Sequence, residues 1–214
     1  MKNAKIRQLL SLVLCFLLVT QCVLLPATAL TDADDLTGSA SSTVALNAYE
    51  GTFFVKNRGL RNYLQVDDGD SPNYSSIGSI MELWDFDGEE YQKWKFIHVG
   101  EGYYRISPNT VPDSAYVCIA VAEGKETSSQ SALVLDTYHY SDGYLRKQWT
   151  ISATGQGTYI IRPRCGELNT GDWIMCAGNG IGSNGRNVEH RTRNASLNYK
   201  DEWFFLSATA RNIQ

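Results

Sequence analysis

Tyr91-Gln92-Lys93-Trp94-Lys95-Phe96 points to the architecture of the whole chain, because its second half returns twice more in weaker form. Trp149 stands 55 residues beyond Trp94, Trp203 a further 54, and each tryptophan has a large apolar residue two places on: Phe96, Ile151 and Phe205. Period-2 spacing puts each such pair on one face of a strand. A recurrence at a near-constant interval takes precedence over local propensity, so the chain reads first as a threefold repeat.

Working back from each tryptophan, the units overlay by residue type. Gly51-Thr52-Phe53-Phe54-Val55, Gly102-Tyr103-Tyr104-Arg105-Ile106 and Gly157-Thr158-Tyr159-Ile160-Ile161 share a glycine, an aromatic two residues later and an aliphatic four residues later. Each reads as a first strand. Tyr63-Leu64-Gln65-Val66, Tyr116-Val117-Cys118-Ile119 and Trp173-Ile174-Met175-Cys176 read as second strands. A third strand is expected at Ile80 to Trp84, at Ala132 to Tyr138 and, weakly, near Asn187 to Arg191. The tryptophan strand is the fourth.

Gly100-Glu101-Gly102 and Gly155-Gln156-Gly157 follow the first two tryptophan strands and read as tight turns, since glycine reaches positive φ at no steric cost. No long amphipathic helical period appears after the leader. The expected architecture is all-β, with twelve short antiparallel strands in three pseudo-threefold repeats, about 51–101, 102–156 and 157–214. Each unit alone buries only part of its apolar face, so the stable solution is one shared core. The last strand, Trp203 to Leu206, would lie beside the first, Phe53 to Val55, and close a barrel.

Residues 1–29 carry Lys2, Lys5 and Arg7 ahead of an apolar run from Leu9 to Leu25, then Pro26 and Ala27-Thr28-Ala29. This is the layout of a secretory signal peptide cut after Ala29, and it predicts a secreted, extracellular or cell-surface protein. An uncleaved anchor and lipidation at Cys22 are the alternatives. Residues 30–48 have the Asp/Ala/Ser/Thr-rich composition of a flexible linker, and 49–214 form the domain. Cleavage leaves 16 Lys and Arg against 23 Asp and Glu, a net charge of −7 with no basic cluster in sequence. That balance argues against nucleic acid and anionic membranes as partners, and no membrane insertion is expected once the leader is gone. Of the five cysteines, Cys118, Cys165 and Cys176 remain. A bridge between Cys165 and Cys176 would close a short loop; buried free thiols are the alternative.

Gln92-Lys93-Trp94 resembles the Q-x-W signature of the ricin B-type lectins, and the threefold spacing is similar to that family's internal repeat, from about Ala48 to the C-terminus. The resemblance implies a β-trefoil fold, in which Trp94, Trp149 and Trp203 are core and Gln92 ties its repeat together by hydrogen bonds. Lys147 and Asp201 stand where the glutamine would recur. It also implies sugar binding in a shallow outer pocket, with an aspartate on the second strand, an aromatic near the third and polar residues just before Q-x-W. An aromatic stacks on the apolar face of a sugar ring while carboxylates and amides hydrogen-bond its hydroxyls. Carried over position by position, the aspartate site holds Gln65, Cys118 and Met175, and Tyr91 replaces an asparagine. The first unit keeps most of the pattern, giving a candidate carbohydrate site of Asp67, Asp68, Glu82, Trp84 and Tyr91.

Other features carry competing readings. Asp67-Asp68-Gly69-Asp70 also reads as a solvated hairpin tip, and Trp84 equally as an inter-strand aromatic. Asp85-Phe86-Asp87-Gly88-Glu89-Glu90 is rich in carboxylates but lacks the ligand ladder of a calcium loop, so no metal is assigned. Asp136, Tyr138, His139 and Tyr140 form a second candidate cluster, or alternate side chains of an edge strand. Gly178 to Gly185 lacks the Gly-Lys-Ser/Thr ending of a phosphate loop. His98, His139 and His190 fall in different units with no nucleophile motif beside them. The repeats leave no room for a separate catalytic domain, so neither enzymatic activity nor a cofactor is expected. The expected function is non-covalent binding of a glycan or polysaccharide. The alternative is a degenerate trefoil with a protein partner: a toxin-delivery subunit, a protease inhibitor or a cell-surface interaction module.

Overall fold

A computed structural model describes residues 49–67, 76–139, 144–179 and 184–209. Twelve strands occur among them: β1 Gly51–Asn57, β2 Tyr63–Val66, β3 Met81–Trp84, β4 Lys93–Gly100, β5 Tyr103–Pro108, β6 Val117–Val121, β7 Ser131–Thr137, β8 Trp149–Ala153, β9 Tyr159–Pro163, β10 Trp173–Ala177, β11 Arg186–Thr192 and β12 Trp203–Ser207. The only helical segments among the described residues are short 3-10 turns. The third strand of the last unit, weak in the sequence, is a full seven-residue strand. Its polar residues are tolerated because two neighbouring hairpins cover it.

Six strands close on themselves. β1 pairs with β4, β4 with β5, β5 with β8, β8 with β9, β9 with β12, and β12 returns to β1 from Phe53↔Ser207 to Asn57↔Trp203. Closure leaves no free edge on that ring. The other six form three hairpins: β2/β3, β6/β7 and β10/β11. β11 joins them by pairing with β3 at Asn187↔Glu82 and with β7 at His190↔Ser131, and Ile80 bridges Val134. Between β4 and β5 the pairing slips at Gly100, and Gly100 and Gly102 hold φ of 101° and 79°, the left-handed region glycine reaches freely.

One hydrogen bond recurs in all three units. Trp94 Nε1 donates to the Leu64 carbonyl at 2.8 Å, Trp149 Nε1 to Ile119 at 3.1 Å and Trp203 Nε1 to Met175 at 3.1 Å. Each indole is fully buried and thereby ties a barrel strand to a hairpin. Burying roughly 200 Å² of indole is worth about 5 kcal/mol at ~25 cal/mol per Å², before conformational entropy is subtracted.

The same bond defines equivalent positions and corrects the sequence alignment. Leu64, Ile119 and Met175 are equivalents, so the residues after them, Gln65, Ala120 and Cys176, share the second-strand site, rather than Gln65, Cys118 and Met175. In the second unit the slip arises because Tyr116 stands before β6 in a left-handed conformation, φ 52°, and is not the counterpart of Tyr63; in the third, Ile174 rather than Trp173 is that counterpart. The Cys165–Cys176 bridge does not form. All three thiols are free and buried, and burial pushes their pKa up, to about 12 for Cys118 and Cys176 and about 11 for Cys165.

Candidate functional site

The β2/β3 hairpin shows period-2 alternation at work. In the register Tyr63↔Trp84, Leu64↔Leu83, Gln65↔Glu82 and Val66↔Met81, the aliphatic pairs face the core. Tyr63, Trp84, Gln65 and Glu82 therefore share the outer face. The chain then passes through Asp85 to Glu89 and a one-turn 3-10 segment, Glu90–Gln92, which brings Tyr91 and Gln92 back beside the end of β3.

Gln92 is fully buried and organises this turn. Its Nε2 donates to the Asp85 carbonyl at 2.7 Å and to Gln65 Oε1 at 3.1 Å, and its Oε1 accepts from the Asp87 amide at 3.2 Å. Those contacts orient Gln65, whose Nε2 donates to Glu82 Oε1 at 2.7 Å. The tie outlives the glutamine in the second unit. Lys147, 1% exposed, donates from Nζ to the Thr137 carbonyl at 2.6 Å, and Thr137 is the register equivalent of Asp85. In the third unit Asp201 instead accepts from Arg193 Nε at 2.6 Å.

The sequence-predicted site residues separate into distinct places. Trp84 is 41% exposed at the end of β3, and Tyr91 donates from its hydroxyl to Asp87. Glu82 is only 8% exposed, with one oxygen engaged by Gln65. A Cβ added to Gly185 would lie 3.6 Å from the Trp84 ring and 3.8 Å from Glu82 Oε2, so the turn leading into β11 approaches both. Asp67 does not join them. Its amide bonds to the Ile80 carbonyl at 2.7 Å, four positions along the strand from Trp84, about 14 Å at ~3.4 Å per residue. Asp68 lies outside the described residues, as do the leader, the 30–48 linker and the centre of the Gly178–Gly185 loop.

Four residues absent from the sequence-based set shape the site. Phe86, two places beyond Trp84 and 55% exposed, packs its ring on Tyr63 at 4.7 Å and edge-on to Phe54 at 5.1 Å. Asp85, Asn62 and Asn184 form a closed polar triangle. Asn62 Nδ2 donates to Asp85 Oδ1 at 3.0 Å and Asn184 Oδ1 at 2.8 Å, and Asn184 Nδ2 donates to Asp85 Oδ2 at 3.0 Å. Only the Trp84-x-Phe86 spacing was readable in sequence; the triangle links residues 122 apart. The carboxylates of 85–90 do not converge on one point, since Asp85 serves this triangle, Asp87 serves Tyr91, and Glu90 serves Lys93 and Asn109.

The second cluster is a structural knot rather than an open platform. Asp136 Oδ2 meets Arg146 at 2.6 Å and Lys147 at 3.3 Å. Burial alone would raise the Asp136 pKa, but the Thr137 amide and these two cations hold it below the usual carboxylate value. Tyr138 is 4% exposed and accepts from Gln148 Nε2 at 2.5 Å. His139 is exposed and Tyr140 lies outside the described residues. The register explains the difference between units, because Trp84 has Asp136 and Arg191 as its equivalents. Only the first unit presents an aromatic there.

No family model matches the chain. Among curated proteins it is 32% identical over 68 residues to the clotting factor G alpha subunit of Tachypleus tridentatus, a match spanning 32% of this chain and 10% of that protein. The chain therefore spans about a tenth of the length of that relative. Among solved structures it resembles ThreeFoil, a designed threefold-symmetric protein, with TM-score 0.59 and 20% identity over 74% of this chain and 99% of that one. It also resembles an exo-β-1,3-galactanase of Clostridium thermocellum, with TM-score 0.57 and 18% identity over 73% of this chain and 30% of that one. A Macrolepiota procera ricin B-like lectin solved with lactose gives TM-score 0.52 and 12% identity over 74% and 96%. The chain has the β-trefoil fold, shared with ricin B-like lectins.

Proposed function

We propose that this protein is a secreted carbohydrate-binding module of ricin B-type that holds glycans non-covalently on the outer face of its first unit. In this reading the three four-stranded units are pseudo-threefold repeats of one lectin-like element, of which the first retains binding. Trp84 carries the proposal, as an exposed indole at the end of β3 beside an ordered polar turn. The indole receives the apolar face of a sugar ring, while the Asp87 carboxylate and the Tyr91 hydroxyl bond to its hydroxyls, with Glu82 behind them. The Gln92–Gln65–Glu82 chain fixes these groups before ligand arrives, which lowers the ordering cost of binding. Exposed Phe86 extends the apolar surface for a second ring. The lactose-bound ricin B-like lectin that shares the fold supports the ligand class.

Retention of the purified protein on immobilised glycans tests this reading. Retention is expected on at least one glycan, with at least tenfold loss in Trp84→Ala at unchanged thermal stability. Undiminished retention in that variant would remove the site assignment. A second reading, a trefoil that contacts a protein, draws on the replacement of the aromatic by Asp136 and Arg191 in the other units. It predicts no retention on any glycan together with a saturable protein partner.

A further inference from the structure

We propose a second binding site, for the acidic group of an anionic saccharide, in an open hollow where the β1–β2 turn meets the segment before β12. The hollow holds about 530 Å³ and is lined by Lys56, Arg58, Arg61, Asn198, Tyr199 and Phe204, three cations and no carboxylate. In a chain of net charge −4 that concentration of positive charge is not a sampling of the surface composition. It does not rest on the first-unit site and uses none of its residues.

The hollow is built rather than incidental. The Gly59 amide donates to the Tyr199 carbonyl at 3.1 Å, the Arg58 amide to Glu202 at 2.8 Å, and Asn57 Nδ2 to the Lys200 carbonyl at 2.8 Å. A Cβ on Gly59 would fall 2.7 Å from the Asn198 carbonyl oxygen, so the two segments touch backbone to backbone. Of six non-glycine residues with positive φ among the described residues, three surround this hollow: Arg61 at 68°, Asn198 at 50° and Tyr199 at 63°. Each left-handed residue costs about 1 kcal/mol or more, and such strain concentrates where side chains are held for a purpose.

The charges are arranged so that two are left for a ligand. Arg58 lies 3.9 Å over the Tyr199 ring and is answered by Glu202 at 2.5 Å, with Gln156 at 2.8 Å. It packs on one face of the Tyr199 ring, and that residue is 54% exposed. Lys56 has Nζ 5.2 Å from the Tyr63 ring, Arg61 is exposed, and neither meets a carboxylate among the described residues. An arginine and a lysine beside an aromatic face and the Asn198 amide suit a pyranose carrying a carboxylate or sulfate. The ring stacks on Tyr199 and the acid bonds Arg61 and Lys56.

Binding to two matched pairs of polysaccharides, read by titration at low and high salt, tests the site and separates the sources of negative charge. One pair is polygalacturonate against its methyl ester, and the other is dextran sulfate against dextran. At least one acidic member is expected to bind tenfold more tightly than its neutral partner, weakening as salt rises. The Lys56→Ala/Arg61→Ala double variant is expected to lose that difference by tenfold or more, with the fold retained in its circular dichroism spectrum, because neither side chain is buried. Trp84→Ala is expected to leave it intact while losing retention on neutral glycans, which keeps the two sites distinguishable. Equal binding within both pairs, no effect of the double variant, or an equal loss in Trp84→Ala would each overturn the proposal. So would tighter binding of single-stranded RNA than of either acidic polysaccharide.

Discussion

Acid should loosen the hairpin layer through one residue, His190. It is fully buried in β11, opposite Met175 and Ser131, with its ring stacked on Trp173 at 4.4 Å. Neither ring nitrogen makes a hydrogen bond of good geometry among the described residues, and the Lys125 backbone offers only a weak contact. Burial therefore disfavours the imidazolium and lowers the pKa from 6.5 to about 4, against small opposing pulls from the Lys125 backbone and the Glu126 carboxylate. The unfolded chain takes up this proton near pH 6.5 and the folded chain only near 4. Stability is thus lost as pH falls through that window, by about 3 kcal/mol in all at ~1.4 kcal/mol per unit. His190→Leu keeps the volume and removes the proton site. Urea unfolding followed by tryptophan fluorescence, at pH values from 7.5 to 3.5, reads both proteins. The difference between wild type and variant should be flat above about pH 7, shift by about 3 kcal/mol against wild type down to pH 4, and flatten again. Subtracting the two cancels the carboxylates that titrate in the same range. Parallel pH profiles would refute the buried, neutral state of His190.

Cys118, Cys165 and Cys176, buried and with raised pKa, should resist thiol reagents in the native protein at pH 8 and react fully in denaturant; rapid native labelling would contradict their burial. Lys147→Ala deletes the bond to the Thr137 carbonyl and one of the cations facing Asp136, and should cost about 2–4 kcal/mol. Lys147→Gln, which restores the donor that Gln92 supplies in the first unit, should recover part of that loss in a denaturation midpoint. Gly59→Ala places a methyl 2.7 Å from a backbone oxygen and should destabilise by about 1–3 kcal/mol, with weakened binding of acidic polysaccharide as a second readout.

The barrel was legible because it rests on apolar periodicity. Trp94, Trp149 and Trp203 recur at nearly constant spacing, and each makes the same indole-to-carbonyl bond. Strand β11 was weak in the sequence because His190 and Arg191 lie where aliphatic side chains were sought, and their burial comes from neighbouring hairpins. The site was legible where it follows one strand's alternation, as with Trp84 and Glu82. Asp67 was misplaced because nearness in sequence to β2 does not report distance along a hairpin. The Asp136 cluster looked like an open platform because its cations come from Arg146 and Lys147, whose inward direction depends on the turn before β8. Asn184 and the cationic hollow were invisible, since each joins the first unit to the third across more than a hundred residues.

Sugar binding by the exposed indole at the end of β3 is put to proof by a glycan microarray probed with wild type and Trp84→Ala side by side. Wild type should give a restricted set of saturable signals that fall at least tenfold in the folded variant. Identical patterns from the two proteins, or no wild-type signal on any glycan, would contradict it.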